Sequence, residues 1–264
     1  MKTSSAGVVA VLAAWFLIVL AVGRAGAFES GPSHPPLALL AAIVIPLLLF
    51  AAAYRGSSQF RSFVLAIDLR LLTAVQGWRV IGVMFLALYA FDLLRGRFAW
   101  PAGARDAAVG AAAPFVLMAM LRGAPTWWRQ VFWLNIAGLV DFVGAVGSGV
   151  LTSNTPLGLL ADGVTRASLG LLPLSLVPTF GVPLWIVFHV ISLLQLRRLA
   201  AAAAQPSSTI GGGGGVAGHG RGGVRPRRRG PHRHRPAPSR DPDGEPLPLL
   251  PDEDPPLNGR YFLM

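Results

Sequence analysis

The chain lacks cysteine and carries little charge. Its 264 residues include no Cys, and Asp, Glu, Lys and Arg make up only 13% of them. The missing thiols exclude disulfides, thiolate metal sites and cysteine nucleophiles, and they leave the redox compartment undetermined. A soluble domain of this length normally has about a quarter charged residues. Because the deficit is concentrated before residue 200, the sequence predicts that this part is embedded in a membrane.

Signatures of catalysis and of cofactor binding are also missing. The sequence has no Gly-x-Ser-x-Gly, no His-Glu-x-x-His and no Walker motif. The glycine run 211–215 is not a phosphate-binding loop, because no Lys-Ser or Lys-Thr pair follows it. Haem held by two histidines needs both at matching depth, and His189 has no such companion. We therefore expect no cofactor and no metal site, and an enzyme is the least favoured class of function.

Long apolar runs are what the sequence has in abundance. Several approach or reach the roughly 20 residues that a helix needs to cross a bilayer. The predicted fold class is an all-α membrane protein, a bundle of about six transmembrane helices plus one interfacial helix and a disordered C-terminal tail. The transmembrane domain, residues 1–204, contains predicted spans at about 6–23, 36–54, 76–94, 106–121, 131–151 and 178–196. Span six follows closely spaced prolines, so its regular helix is expected to begin near Pro183.

Residues 58–75 differ from the spans. Apolar residues recur there with a helical period, but Arg61, Asp68 and Arg70 interrupt the run. Such a pattern favours a helix that lies in the membrane interface, and we predict one over about 58–75.

The distribution of basic residues predicts the orientation. With the N-terminus in the cytoplasm, the cytoplasmic loops and helix ends carry nine basic residues and the opposite side carries five. Both termini are therefore expected in the cytoplasm. Lys2 is the single lysine among 23 basic residues, a bias typical of GC-rich bacterial genomes, so the predicted location is a bacterial inner membrane. Span one is longer than the apolar core of a usual signal peptide, which favours an uncleaved anchor.

From residue 205 onward the composition changes to Gly, Pro and Arg. Residues 205–264 contain almost nothing that could form a core, so we predict a disordered cytoplasmic tail. Its basic block could bind anionic lipid, at about 1 kcal/mol per Arg near the surface, or a cytoplasmic protein. Nucleic acid is a less favoured partner, and the alternative is a low-complexity extension whose charge blocks neutralise each other. The candidate lipid-binding residues are Arg225, Arg227, Arg228, Arg229, Arg233 and Arg235.

The stretch "NIAGLVDFVGAVGSG", residues 135–149, places a carboxylate inside the fifth span. On a helical wheel Asn135, Gly138, Asp141 and Ser148 fall within one arc of roughly 140°. This small and polar face suits close contact between helices. An unpaired, ionised Asp141 would be strongly unfavourable in hydrocarbon, so its carboxylate must be paired, hydrated or protonated.

Two partners for Asp141 are available in the other spans. Arg79 lies in the first turn of span three, and its side chain can either extend to the surface or reach inward. His189 lies near mid-depth of the last span, where a direct hydrogen bond to Asp141 is expected. The candidate intramembrane polar site is therefore Asp141, His189, Arg79 and Asn135. It is either a proton-responsive site that lines a cavity or a buried clasp that fixes helix register. Asp106 is expected to open span four, where a carboxylate complements the helix dipole.

Four segments carry a resemblance to a known group of proteins. They are "QGWRVIGVMFLALYA", "FAWPAGARDAAVGAAAPF", "NIAGLVDFVGAVGSG" and "LPLSLVPTFGVPLWIVFHVISLLQL". Together they resemble an uncharacterised family of small bacterial multi-pass integral membrane proteins with no assigned function. The resemblance covers roughly residues 70–196 and implies the architecture alone, without catalytic or binding residues. Small-solute or proton-coupled permeation is the first interpretation of function. A non-catalytic scaffold or assembly protein with a binding tail is the alternative.

Overall fold

The computed structural model describes residues 2–161 and 169–204. Within these ranges the chain is all-helical and contains no β-strand, as the sequence predicts. Six helical stretches of the described part are long and apolar enough to cross a membrane. In chain order these spans are Ala6–Arg24, Leu37–Gly56, Leu69–Ala90, Gly96–Leu121, Trp127–Leu151 and Val177–Ala203. Residues Met1–Ala202 form one compact unit. The predicted tail, 205–264, lies outside the described residues.

Two of the six spans are interrupted by helical segments of a different pitch. Span three consists of α4 (Leu69–Val75), a 3₁₀ segment over Gln76–Gly82, and α5 (Val83–Ala90). Span six begins with a π-helical turn, Val177–Gly181, and continues as α8 (Val182–Ala203), so the prediction that regular helix begins near Pro183 is confirmed. The α-helices are α1 (Lys2–Arg24), α2 (Leu37–Gly56), α3 (Ser58–Leu65), α4 (Leu69–Val75), α5 (Val83–Ala90), α6 (Gly96–Leu121), α7 (Trp127–Leu151) and α8 (Val182–Ala203).

The interfacial helix is shorter than the sequence predicts. Helix α3 covers only Ser58–Leu65, and the second half of the predicted 58–75 helix is the start of span three. The break arises because Asp68 adopts an extended conformation and its carboxylate accepts a hydrogen bond from the Arg70 N–H at 2.8 Å. An aspartate in this role is a strong helix start signal, so a new helix begins at Leu69.

Span four begins ten residues earlier than predicted. Helix α6 starts at Gly96, after an extended Arg95, and the predicted start at residue 106 was wrong. One face of α6 carries buried small residues, which let it lie close to span three. A Cβ on Gly110 would lie 2.3 Å from the Val80 backbone nitrogen, so the two spans touch through their backbones at this point.

The two ends of the bundle differ in how they are filled. One end, which we call the closed end, contains a buried apolar cluster, and the residues packed against it include Leu69, Met120, Trp127 and Leu193. That cluster consists of Val109, Ala113, Val116, Val131, Leu134 and Leu196. At the opposite end, residues from the loop segments 25–36, 91–95, 152–155 and 169–170 surround a cavity. We call this the cavity end.

Candidate functional site

Arg79 is the centre of a buried polar cluster between four spans. It lies in the 3₁₀ segment of span three, and only 3% of its surface is exposed. Its Nε donates to Asp106 Oδ1 of α6 at 2.5 Å, and its Nη2 donates to Asp141 Oδ2 of α7. Its Nη1 lies 3.0 Å from His189 Nε2 of α8. The guanidinium carbon also lies 4.1 Å from the centroid of the Phe142 ring. All three polar edges of this cation are therefore occupied by protein groups.

Glycines bring these groups together. A Cβ on Gly138 would lie 2.3 Å from both Cε1 and Nε2 of His189 and 2.6 Å from Arg79 Nη1. A Cβ on Gly82 would lie 2.6 Å from the Asp106 Cβ. The small face predicted for span five thus serves the packing of the cluster, because any larger residue at 138 would displace the histidine and the arginine.

His189 is held in one neutral form by its two partners. An arginine has only donors, so Nε2 of His189 accepts from Arg79 and carries no proton. The proton is therefore on Nδ1, which lies 2.8 Å from Asn135 Oδ1 and donates to it. Asn135 in turn donates from Nδ2 to the carbonyl oxygen of Val131 at 2.7 Å. These assignments form one consistent chain of donors from Arg79 to the backbone of α7.

Arg105 adds a second positive charge to the cluster. Its Nε lies 3.2 Å from Asp141 Oδ1, and the two groups form an ion pair. The geometry of this contact is not that of a hydrogen bond, and Asp141 Oδ1 has no hydrogen-bond partner among the described residues. Asp141 therefore lies between two guanidinium groups, and Asp106 is held by one of them. Two carboxylates and two guanidinium groups balance formally, with the histidine neutral.

The structure brings all four sequence-predicted residues, Arg79, Asn135, Asp141 and His189, into one cluster. The expected direct hydrogen bond between Asp141 and His189 is not formed among the described residues, because Arg79 lies between the two side chains. The tail arginines named above lie outside the described residues.

Sequence reasoning missed the contribution of α6. Asp106 was expected to complement the dipole at a helix N-terminus, but it lies in the interior of α6 and binds Arg79. Arg105 precedes the predicted span four, but in the structure it lies within α6 and pairs with Asp141. The available signal was the spacing of Gly103, Asp106 and Gly110, which places a carboxylate and two glycines on one helical face.

A cavity connects the loops of the cavity end with the two carboxylates. Its volume is about 280 Å³, and its walls are mostly apolar. Asp106 and Asp141 are the lining residues of α6 and α7 that lie farthest from the cavity end, whereas Arg79, Asn135 and His189 do not line it. The polar rim is formed by Arg95, Thr152, Ser153, Asn154 and Thr155. The cavity thus stops at the carboxylates, and the rest of the cluster closes its base.

The described residues contain no group of three or more His, Asp or Glu side chains arranged to hold a metal ion. The side chains of the Arg79 cluster themselves provide hydrogen bonds, ion pairs and groups that can exchange protons. Its two carboxylates are the groups that can change charge while facing a space large enough for water or a small solute.

Fold and site define a helical protein with six membrane-length spans, of which the last four contribute the side chains of a charge-balanced polar cluster. The chain belongs to the family described as Domain of unknown function (DUF8737), which matches residues 35–197. The matched region contains spans two to five, most of span six and every residue of the cluster, and it confirms the resemblance to an uncharacterised family. The comparisons with curated proteins and with solved structures give no match.

Proposed function

We propose that this protein mediates small-solute or proton-coupled permeation through the cavity and the Arg79 cluster. The observation that carries the proposal is the cavity, which runs from the loops to Asp106 and Asp141. A clasp that only fixes helix register needs no such space. Ionisable groups within a span that face a cavity are typical of ion and proton pathways. The 3₁₀ segment and the π-helical turn add support, because broken helices accompany the binding sites of many transporters.

Protonation of a carboxylate is the step that would change the cluster. A proton entering the cavity meets Asp106 and Asp141 first. Neutralising either one leaves two guanidinium groups facing a single carboxylate. The loss is unfavourable for Arg79, whose side chain is buried, whereas the Arg105 side chain is 45% exposed. Arg79 then gains by moving toward water at the closed end. Since Arg79 also contacts His189, this movement would loosen α8 from span three. Asp141 is the proton-carrying group of this scheme, and His189 acts through Arg79.

The proposed setting is a bacterial inner membrane with both termini in the cytoplasm. The excess of basic residues in the loops and helix ends of that side supports this orientation. The closed end then faces the cytoplasm and the cavity opens away from it. Residues 205–264 would lie on the cytoplasmic side.

A non-catalytic scaffold is the second candidate, and the charge balance of the cluster favours it. The ion pairs join spans three, four and five, and the contact of Arg79 with His189 adds span six, so the cluster can hold four spans in register without ever moving. The tail would then provide the function by binding anionic lipid or a cytoplasmic protein. The residues proposed for this contact remain Arg225, Arg227, Arg228, Arg229, Arg233 and Arg235.

Flux measurements in proteoliposomes test the permeation proposal. Proton entry is driven by a potassium diffusion potential and read with a trapped pH-sensitive dye, and osmotic swelling in glycerol or urea reports uncharged solutes. We expect Asp141→Asn to abolish the pH-dependent flux. The matched control is Asp92→Asn, because Asp92 is exposed at the end of α5 with φ 57°, a conformation that Asn tolerates. Wild-type protein that carries no flux above empty liposomes would contradict the proposal.

Deleting residues 205–264 separates the two candidates. A permease core should keep its flux without the tail, since the cavity and the cluster lie entirely before residue 205. A scaffold should instead lose binding to vesicles that contain anionic lipid, or lose the protein that co-purifies with the full chain. Loss of flux together with intact binding would argue against both assignments.

A further inference from the structure

Buried polar side chains continue past the cluster toward the closed end. Span three carries Thr73 and Gln76 before Arg79, and α8 carries Ser192 and Gln195 after His189. All four side chains are buried. In both spans these residues and the cluster residue are three positions apart, which keeps neighbouring members on adjoining parts of a helix face. The polar interior therefore extends from the base of the cavity toward the opposite end of the bundle.

Gln76 differs from the other three residues because its amide is unpartnered. Thr73 donates to the Leu69 carbonyl oxygen at 2.9 Å, and Ser192 donates to that of Phe188 at 2.9 Å. Gln195 donates to the carbonyl oxygens of Val64 and Ile67. Neither Nε2 nor Oε1 of Gln76 has a hydrogen-bond partner among the described residues, although only 1% of the residue is exposed. A buried amide without partners costs about 1–3 kcal/mol, so Gln76 is poorly explained by packing alone.

The 3₁₀ geometry aims Gln76 into the same space as Arg79. With three residues per turn, side chains at i and i+3 eclipse each other, and Gln76 and Arg79 are the first and fourth residues of that segment. Arg79 projects between α6, α7 and α8, where it meets Asp106, Asp141 and His189. Gln76 therefore lies one turn closer to the closed end on the face that holds the cluster.

We propose that Thr73, Gln76 and Ser192 line the second half of the pathway, and that the Gln76 amide binds the water that carries protons between the Arg79 cluster and the closed end. This inference rests on the proposed function, since it extends the cavity's route through the membrane. In the conformation described here the hydroxyls of Thr73 and Ser192 are turned back onto their own helices, so this half is closed. When Arg79 moves toward the closed end, water follows to Gln76 and the two hydroxyls become available to it.

The absence of native cysteine allows a direct test. Single variants Gln76→Cys and Ser192→Cys are labelled with a membrane-impermeant maleimide added from the side of the closed end. Only a hydrated thiol forms the reactive thiolate, so we expect both to react about tenfold faster than the controls. The controls are Val131→Cys, fully buried in the apolar cluster of the closed end, and Trp78→Cys, at a site that is 66% exposed on the outer face of span three. Reaction at the control rate for both polar positions would overturn the inference.

A second variant links the residue to transport without relying on labelling. Gln76→Leu removes an amide that has no described partner, so the protein should unfold no more easily than the wild type. Proton flux should nevertheless fall to the level of Asp141→Asn, and retained flux would overturn the inference. If the wild type carries no flux but Gln76→Cys is labelled selectively, the hydrated polar column stands and the permeation proposal fails by itself.

Discussion

The first two spans and the last four use the membrane in different ways. In the most apolar stretches of α1 and α2 only 11% and 6% of the residues are buried, against 28% to 33% in spans three to six. The first two spans also have the higher mean hydropathy. Every side chain of the Arg79 cluster comes from the last four. The less apolar spans therefore depend on association with one another, because their polar groups find partners only in neighbouring helices.

This difference indicates which part of the molecule is essential for its structure. Within lipid, apolar side chains gain little by leaving lipid for protein, so packing, small residues and polar contacts hold helices together. Spans three to six have these features, whereas the contacts of α1 include two aromatic pairs with Phe180 and the close approach of Gly23 to Leu172. The family match begins at residue 35 and leaves α1 outside. We infer that the last four spans form the structural core and that α1 is an addition to it.

The largest effect is expected from removing the central cation. Arg79→Leu leaves Asp106 and Asp141 with Arg105 alone, and an uncompensated buried charge should lower the free energy of unfolding by about 3–5 kcal/mol. Arg70→Leu is the matched control, because Arg70 lies nine residues away in the same span and is exposed. The measurement is reversible unfolding in mixed micelles.

A compensating variant shows whether charge is the cause. Adding Asp106→Asn and Asp141→Asn to Arg79→Leu removes the unpaired carboxylates, and most of the lost stability should return. If the triple variant is as unstable as Arg79→Leu, the loss arises from packing and the electrostatic account of the core is wrong.

The sequence predicted the core's chemistry better than its boundaries. Asp141 indicated a buried site because a lone carboxylate in an apolar run must find partners. His189 was available at similar depth, and Arg79 was available because its long side chain can reach inward from the first turn of span three. The role of Asp106 was missed because the charge of Arg105 lowers the local mean hydropathy, so a prediction from hydropathy alone starts span four after Arg105. The helix continues to Gly96 because Arg105 and Asp106 are compensated by Asp141 and Arg79. These ion pairs join residues that are far apart in the sequence, so a prediction based on short sequence segments cannot detect them.

The same limit explains the misplaced hydrogen bond. Depth along the spans placed Asp141 and His189 at one level, but it could not show that Arg79 would extend between them. The position of the Arg79 side chain depends on Gly110 and Gly82. These glycines let span three lie against α6 and so bring the guanidinium to the centre of the bundle. Close backbone approach of this kind depends on packing in three dimensions.

A smaller effect on the free energy of unfolding is expected from a larger residue at Gly110, which would increase the distance between span three and α6. A Cβ on Gly110 meets the Val80 backbone nitrogen at 2.3 Å, so Gly110→Ala must push span three away from α6. Overpacking of this kind typically costs about 1–3 kcal/mol. Gly77→Ala is the control within the 3₁₀ segment, because a Cβ there meets nothing within 4 Å and should leave stability unchanged or slightly raised. Equal unfolding free energies for the two variants would contradict the close contact between these spans.

The smallest effect is expected at the periphery and tests the comparison itself. Trp15 of α1 contacts Phe180 at 4.7 Å between ring centroids, much as Phe85 and Phe98 of the core meet at 5.5 Å. An aromatic pair contributes roughly 0.5–1.5 kcal/mol, and Trp15→Ala should lower the free energy of unfolding by no more than this amount. Phe98→Ala should cost more, because it also opens a void among buried neighbours that lipid cannot fill. If Trp15→Ala proves as destabilising as Phe98→Ala in the same mixed micelles, α1 belongs to the core, and the division between peripheral and central spans is wrong.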